Sequence, residues 1–295
     1  MGALDGQKIG LIGLGLMGKP MARNLAAAGA RMTVASRSPG PVEELSAEAM
    51  SAAGSAKTVV EASDIVIVMV TDTPSAQKVI AGPDGVIEGL SPGKLVIDMG
   101  TTAVKATREL AEQVQAAGCE WIDAPVSGGS IGATEGTLTI MAGGSEDAIA
   151  RAAPLFAVLG RRYTHIGGFG AGQVAKAVNQ NIVGLTIAAV AEGLALARKA
   201  GVDPAKVREA LNVEGGFAQS RIMEIHGQRM IDGTFEPGGR VTVQHKDVHQ
   251  GLELAEQVGI RLPSLERNVE LWDAMIEKGW GGLDHAALIK LIEEP

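Results

Sequence analysis

Lys176 is badly placed for a solvated charge, and an amine so placed could move a proton. It lies in Gly170-Ala171-Gly172-Gln173-Val174-Ala175-Lys176-Ala177-Val178-Asn179-Gln180, early in a helical pattern that is mostly apolar. Lys176 and Gln180 are four residues apart and so share a helix face. An amine enclosed there is a general acid when charged and a general base when neutral. Burial and a nearby helix N-terminus would pull its pKa down from about 10.4 towards a useful range. The ordinary alternative, a lysine reaching out to solvent, stays open on these residues.

Two glycine-rich stretches complete the candidate chemistry. Asp123-Ala124-Pro125-Val126-Ser127-Gly128-Gly129 follows a strand pattern, and a hydroxyl with two following glycines offers consecutive N–H groups to a carboxylate. An ordinary turn would look the same. Gly13-Leu14-Gly15-Leu16-Met17-Gly18 is a G-x-G-x-x-G element between a strand pattern, from Lys8, and a helix pattern running through Leu25. In that context the glycines let backbone approach a pyrophosphate, and the helix N-terminus presents N–H groups and a positive dipole end to it. At the end of the second strand an NAD site usually carries Asp or Glu; here stand Ser36, Arg37 and Ser38. A guanidinium can fork onto a 2′-phosphate, so NADP is expected, with NAD still usable.

Other features weigh less. His245 and His249 are four apart on a helical pattern, a spacing that can bind zinc, but no third ligand is evident in the sequence and no metal is expected. Cys119 is the one cysteine, which excludes an internal disulfide and a cysteine zinc cluster and fits a reducing compartment, the cytoplasm. A net charge of -8 argues against nucleic-acid binding, which needs clustered Lys and Arg. Residues Met1 to Gln7 carry no signal-peptide pattern. The most apolar run, Ile182–Ala197, is interrupted by Glu192, so a buried helix and no membrane span is expected.

The elements that must hold these residues alternate in the first half. Strands are predicted over Lys8–Leu14, Arg31–Ser36, Ile65–Val70, Leu95–Asp98, Glu120–Ala124, Leu138–Ala142 and Tyr163–Ile166. Helical patterns such as Met17–Ala28, Val104–Ala117 and Glu146–Leu159 separate them. Apolar strands alternating with helices mean a mostly parallel sheet covered on both faces, with the last two strands a candidate antiparallel extension. After Gly167 the strand signal ends. A helix over 173–199, spanning roughly 40 Å and apolar on most faces, should be enclosed by other helices, and the rest is helical. The expected fold is α/β: a Rossmann-type doubly wound domain over 1–166, and an all-α domain for substrate and oligomerisation over 167–295 that includes the long interdomain helix. With aromatics at 3%, the cores must be built of Ala, Val, Ile, Leu and Met.

Together the three motif stretches resemble the β-hydroxyacid dehydrogenase family, which includes 3-hydroxyisobutyrate dehydrogenases and tartronate semialdehyde reductases. The resemblance runs from Lys8 to Leu288, with the motifs in the family's order and spacing. It implies that Ser127, Gly128 and Gly129 bind the substrate carboxylate and that Lys176 is the catalytic acid/base, with Gln180 holding the amine or the substrate oxygen in line. It also implies that Thr101, in Asp98-Met99-Gly100-Thr101, lies near the nicotinamide ribose, and that Lys246 matches a family lysine near the cofactor. Val70 and Thr71, where the Ile65–Val70 pattern ends, belong to the same expected cofactor set.

The implied activity is reversible NADP-dependent reduction of a small semialdehyde acid to its β-hydroxyacid, needing no metal because Lys176 polarises the carbonyl. The pair Asn179-Gln180 and the segment Phe235-Glu236-Pro237-Gly238-Gly239-Arg240 are most similar to tartronate semialdehyde reductases, although Gly239 stands where the family has a large apolar residue. Alternatives are 3-hydroxyisobutyrate or 4-hydroxybutyrate dehydrogenase. Imine reduction and a non-catalytic nucleotide-binding module are disfavoured, since relatives of those kinds lack the lysine. Expected partners are the small carboxylate-bearing aldehyde or hydroxyacid and copies of the chain itself, as a homodimer or homotetramer.

Overall fold

The computed structural model describes residues 2–294; Met1 and Pro295, the outer ends of the two predicted domains, lie outside the described residues. The fold is α/β, as the alternating pattern requires. Its first compact unit runs up to Lys176 and its second begins at Ala177, so the division falls inside one continuous helix, Ala171–Lys199.

The first unit is built on a sheet of nine strands among the described residues. They are β1 (Lys8–Ile12), β2 (Arg31–Ala35), β3 (Ser51–Ala52), β4 (Ile65–Val68), β5 (Leu95–Asp98), β6 (Glu120–Asp123), β7 (Val126–Ser127), β8 (Leu138–Gly144) and β9 (Gly160–Gly167). The first six lie in the order β3-β2-β1-β4-β5-β6 and are parallel throughout. Side chains alternate between two apolar faces. In β4, Ile65 and Ile67 join a core with Met21 and Leu25 of the helix Gly18–Ala27, while Val66 and Val68 join another with Ile80 and Leu110. Burial on both faces explains the continuous apolar runs of the sequence.

Beyond β6 the direction reverses. β8 runs antiparallel to β6 and β7, which share one of its edges, and β9 pairs with the other edge in parallel. The predicted antiparallel extension is therefore present, but its two long strands are parallel to each other. The strands β3 and β7, two residues each, are missing from the sequence reading because so short a run has no measurable period.

The second unit is helical around a core of Ile187, Leu194, Val248, Trp272 and Met275. Its helices Val241–Val258 and Pro263–Glu277 pack against each other. The helix Ala171–Lys199 is long and apolar enough to cross a membrane by length and composition, with a mean hydropathy of 1.4 in its most apolar window. Ile187, Val190, Ala191 and Leu194 are nevertheless buried among the other helices, as in the core helix of a globular unit. The other helices enclose it over part of its surface only: Val178, Ile182 and Leu196 are 53%, 59% and 70% exposed. An apolar pattern on most faces states only that those faces avoid water, not that this one chain covers them.

Candidate active site

The glycine turn joins β1 to the helix Gly18–Ala27, beside the end of β4, where the strand order switches direction. Its three glycines answer to different constraints. Gly13 has a φ of +100°, and a Cβ there would lie 2.3 Å from the carbonyl oxygen of Met69. At Gly18 a Cβ would lie 1.9 Å from the carbonyl oxygen of Gly13. The fold itself therefore demands both. Gly15 is different: a Cβ would meet nothing within 4 Å, so no contact within the chain calls for glycine. Leu14 is buried, Leu16 is 76% exposed, and Met17 precedes the helix with no side chain capping its N–H groups. An open glycine before an uncapped helix end fits a pyrophosphate. Past the end of β2, Ser36 is half-buried, and Arg37 and Ser38 are exposed.

The loop after β5 is fixed by side chains rather than by regular structure. Asp98 is fully buried; its carboxylate accepts from the Gly100 N–H at 3.0 Å and from the Thr102 hydroxyl at 2.7 Å. Gln173 closes the loop from the other side, donating to the Gly100 carbonyl oxygen at 2.9 Å and accepting from the Thr102 N–H at 3.2 Å. Thr101 is held between these anchors. A Cβ at Gly100 would lie 2.7 Å from the carbonyl oxygen of Val70, so the loop lies directly against the segment Val70–Thr71 after β4.

The helix bearing Lys176 starts against β6. Asp123, at the end of that strand, is fully buried and accepts from the N–H groups of Gly170 at 2.8 Å and Gln173 at 3.0 Å. Burial pushes its carboxyl up to about 7, against the pull of those two N–H donors. Gly172 is obligatory here, since a Cβ would come within 2.4 Å of the Met141 carbonyl oxygen and 2.5 Å of that of Asp123. One turn on, Lys176 is 7% exposed and its Nζ donates to the carbonyl oxygen of Val126 at 2.8 Å. Val126 immediately precedes Ser127, Gly128 and Gly129. Gly128 and Gly129 both take positive φ, 134° and 62°, to turn the chain into the short helix Gly129–Glu135.

The first unit thus brings Lys176 to the turn at 127–129, and Thr101 to the segment at 70–71. In the second unit, Gln180 donates to Asp247 at 2.5 Å and to Gln244 at 3.3 Å and accepts from Asn179 at 2.7 Å. Lys246 pairs with the other oxygen of Asp247 at 2.8 Å.

Sequence reasoning gave no role to several residues that position these groups: Gln173, Asp98, Asp123, Gln244 and Asp247. A buried carboxylate or amide is a strong signal, but burial is a property of the fold and leaves no mark on spacing. The segment Phe235–Arg240 is another case. Asp284 accepts from the N–H groups of Gly238 at 2.9 Å and Gly239 at 3.0 Å and from Arg229 at 2.7 Å. Burial opposes its charge, yet His226 and the backbone N–H donors hold its carboxyl well below the usual range. A Cβ at Gly239 would lie 2.8 Å from the His285 ring, so a larger residue there would require that ring to shift. The reading of His245 and His249 as lacking a third partner is also corrected: Asp273, from the next helix, reaches both.

Parallel strands in the order 3-2-1-4-5-6, with a glycine turn at the switch point, define a dinucleotide-binding α/β domain. Residues 8–167 match the family model described as the NAD binding domain of 6-phosphogluconate dehydrogenase, and residues 170–292 match that described as NAD-binding of NADP-dependent 3-hydroxyisobutyrate dehydrogenase. The 2-hydroxy-3-oxopropionate reductase of Escherichia coli is 46% identical over 97% of this chain and 97% of its own. The 3-hydroxyisobutyrate dehydrogenase of Pseudomonas aeruginosa is 35% identical over 96% of this chain and 97% of its own. A crystal structure of 3-hydroxyisobutyrate dehydrogenase from Salmonella typhimurium superposes with a TM-score of 0.87 at 30% identity, covering 97% of this chain and 100% of that one. The chain belongs to the β-hydroxyacid dehydrogenase family of NAD(P)-dependent oxidoreductases.

Proposed function

We propose that this enzyme reduces 2-hydroxy-3-oxopropionate (tartronate semialdehyde) to its β-hydroxyacid with NADPH, reversibly. The observation that carries the reading is the buried amine of Lys176, tied to the backbone beside the turn Ser127–Gly129. A solvated surface lysine needs neither burial nor an anchor. The choice of substrate is supported by the 46% identity to the Escherichia coli reductase across both chains.

In this reading residues 1–166 form the cofactor domain, and 167–295 serve substrate binding and assembly. Gly13, Leu14, Gly15, Leu16, Met17 and Gly18 would hold the pyrophosphate, and Ser36, Arg37 and Ser38 the 2′-phosphate. Val70, Thr71, Thr101 and Lys246 would flank the nicotinamide half. The bound dinucleotide supplies a hydride from C4 of its ring. Ser127, Gly128 and Gly129 orient the substrate by its carboxylate. Lys176, as the ammonium, gives its proton to the carbonyl oxygen as negative charge grows there. In the reverse direction the neutral amine takes the proton of the alcohol. Gln180 keeps the amine or the substrate oxygen in line, while Asp123 and Gln173 hold the first turn of the helix. The chain would work in the cytoplasm and assemble as a dimer or tetramer, a reading supported by the exposed Val178, Ile182 and Leu196.

The test is the loss of NADPH absorbance with tartronate, methylmalonate and succinate semialdehydes, run with NADPH and NADH in parallel. The highest kcat/KM is expected with tartronate semialdehyde and NADPH. No turnover with any semialdehyde would remove the reading.

A further inference from the structure

Outside the site described, one group of side chains is arranged like a ligand set. His245 and His249 are one turn apart on the helix Val241–Val258, and Asp273 projects from Pro263–Glu277. Both Nε2 atoms lie 2.8 Å from the same oxygen, Oδ1 of Asp273. One donor atom from each residue falls within 4.8 Å of the other two. The imidazole rings are 4.5 Å apart, centroid to centroid. Their side chains are 29%, 43% and 42% exposed, so solvent can complete a coordination shell.

We propose that His245, His249 and Asp273 form a zinc-class divalent metal site on the helical unit. This goes beyond the oxidoreductase reading and does not depend on it. Two imidazoles and a carboxylate with an open fourth position match an open tetrahedral zinc site. Zinc–ligand bonds of about 2.0–2.2 Å put tetrahedral ligand atoms about 3.3 Å apart, so each 2.8 Å contact would open by roughly half an ångström. Side-chain rotation supplies that without moving the helices. Each imidazole Nε2 meets the carboxylate at hydrogen-bond distance, with the ring donating its N–H. On binding, the Nε2 lone pairs and the same carboxylate oxygen turn to the cation, and the protons leave to solvent or to Nδ1. Mixed nitrogen and oxygen donors favour zinc, copper or nickel over magnesium and calcium. The one cation adjacent in sequence, Lys246, is paired with Asp247 at 2.8 Å, which reduces its repulsion. Glu253 and Glu256 line the same groove along the helix, a space of about 550 Å³, and keep its field negative.

The test uses the full chain, stripped with EDTA, dialysed, and titrated with zinc chloride against a chromophoric chelator. One equivalent per chain with a micromolar or tighter Kd is expected. His249→Ala and Asp273→Asn should each weaken it by about tenfold or more, with unchanged circular dichroism and NADPH turnover. Magnesium chloride should not compete. Absence of binding in the micromolar range would overturn the site. So would zinc binding of equal stoichiometry and affinity in both variants, which would place the ion at other donors such as Cys119 or the pair His226 and His285.

Discussion

The Nζ of Lys176 donates to the carbonyl oxygen of Val126 at 2.8 Å, although the two residues are 50 positions apart in the chain. That bond ties the one buried amine of the helix to the strand leading into Ser127–Gly129. Replacing Lys176 by Ala should leave NADPH affinity within about twofold and lower kcat by roughly 10²–10⁴-fold, the usual contribution of a positioned acid/base. Fluorescence titration and steady-state assays check the two halves, and near-normal turnover would remove the mechanism.

Gly15 and Gly18 should respond in opposite ways to the same added methyl group. Gly18→Ala places a Cβ 1.9 Å from a backbone oxygen and should cost about 1–3 kcal/mol or more of stability, seen as a fall in Tm. Gly15→Ala meets nothing within the chain and should keep its Tm while losing cofactor affinity. Equal affinity for NADPH in Gly15→Ala would show that the dinucleotide does not approach there.

Arg37 is exposed past the end of β2, where no carboxylate stands. In Arg37→Ala, KM for NADPH should rise about tenfold or more, the range for a lost charge-assisted hydrogen bond, with KM for NADH nearly unchanged. A parallel rise for both cofactors would argue against 2′-phosphate recognition.

Asp123 predicts a pH signature. Its folded pKa of about 7 exceeds the ordinary 3.8, so the folded state holds the proton more tightly than the unfolded chain. Its contribution to stability is thus complete below pH 3.8 and declines as pH rises to about 7, by a few kcal/mol at most. Denaturant titrations of wild type and Asp123→Asn should therefore differ in slope across that window, with the wild type losing stability relative to the variant. Parallel curves would contradict the raised pKa.

His285 carries the opposite sign. Burial, with the neighbouring His226, pushes its pKa down to about 4 from 6.5. Stability is present above pH 6.5 and lost as pH falls towards 4, because the unfolded chain takes up the proton first. His285→Gln should flatten that part of the acid-unfolding profile, as followed by circular dichroism.

Much of this protein is legible without coordinates, because some constraints are local. Strand runs such as Ile65–Val68 show the burial of both faces directly, and the alternation with helices shows a parallel sheet. The glycine turn at 13–18 points to a dinucleotide site because strand, turn and helix are contiguous. Lys176 and Gln180 share a face by spacing. The tertiary structure decided what depends on distance between remote segments: that β8 and β9 reverse together, that Asp123 and Gln173 anchor the helix start, that the His285 ring packs against Gly239, and that Asp273 joins His245 and His249. Periodicity records which way a side chain faces within its own element; which partner it meets is set by packing, and packing is not written at any fixed spacing.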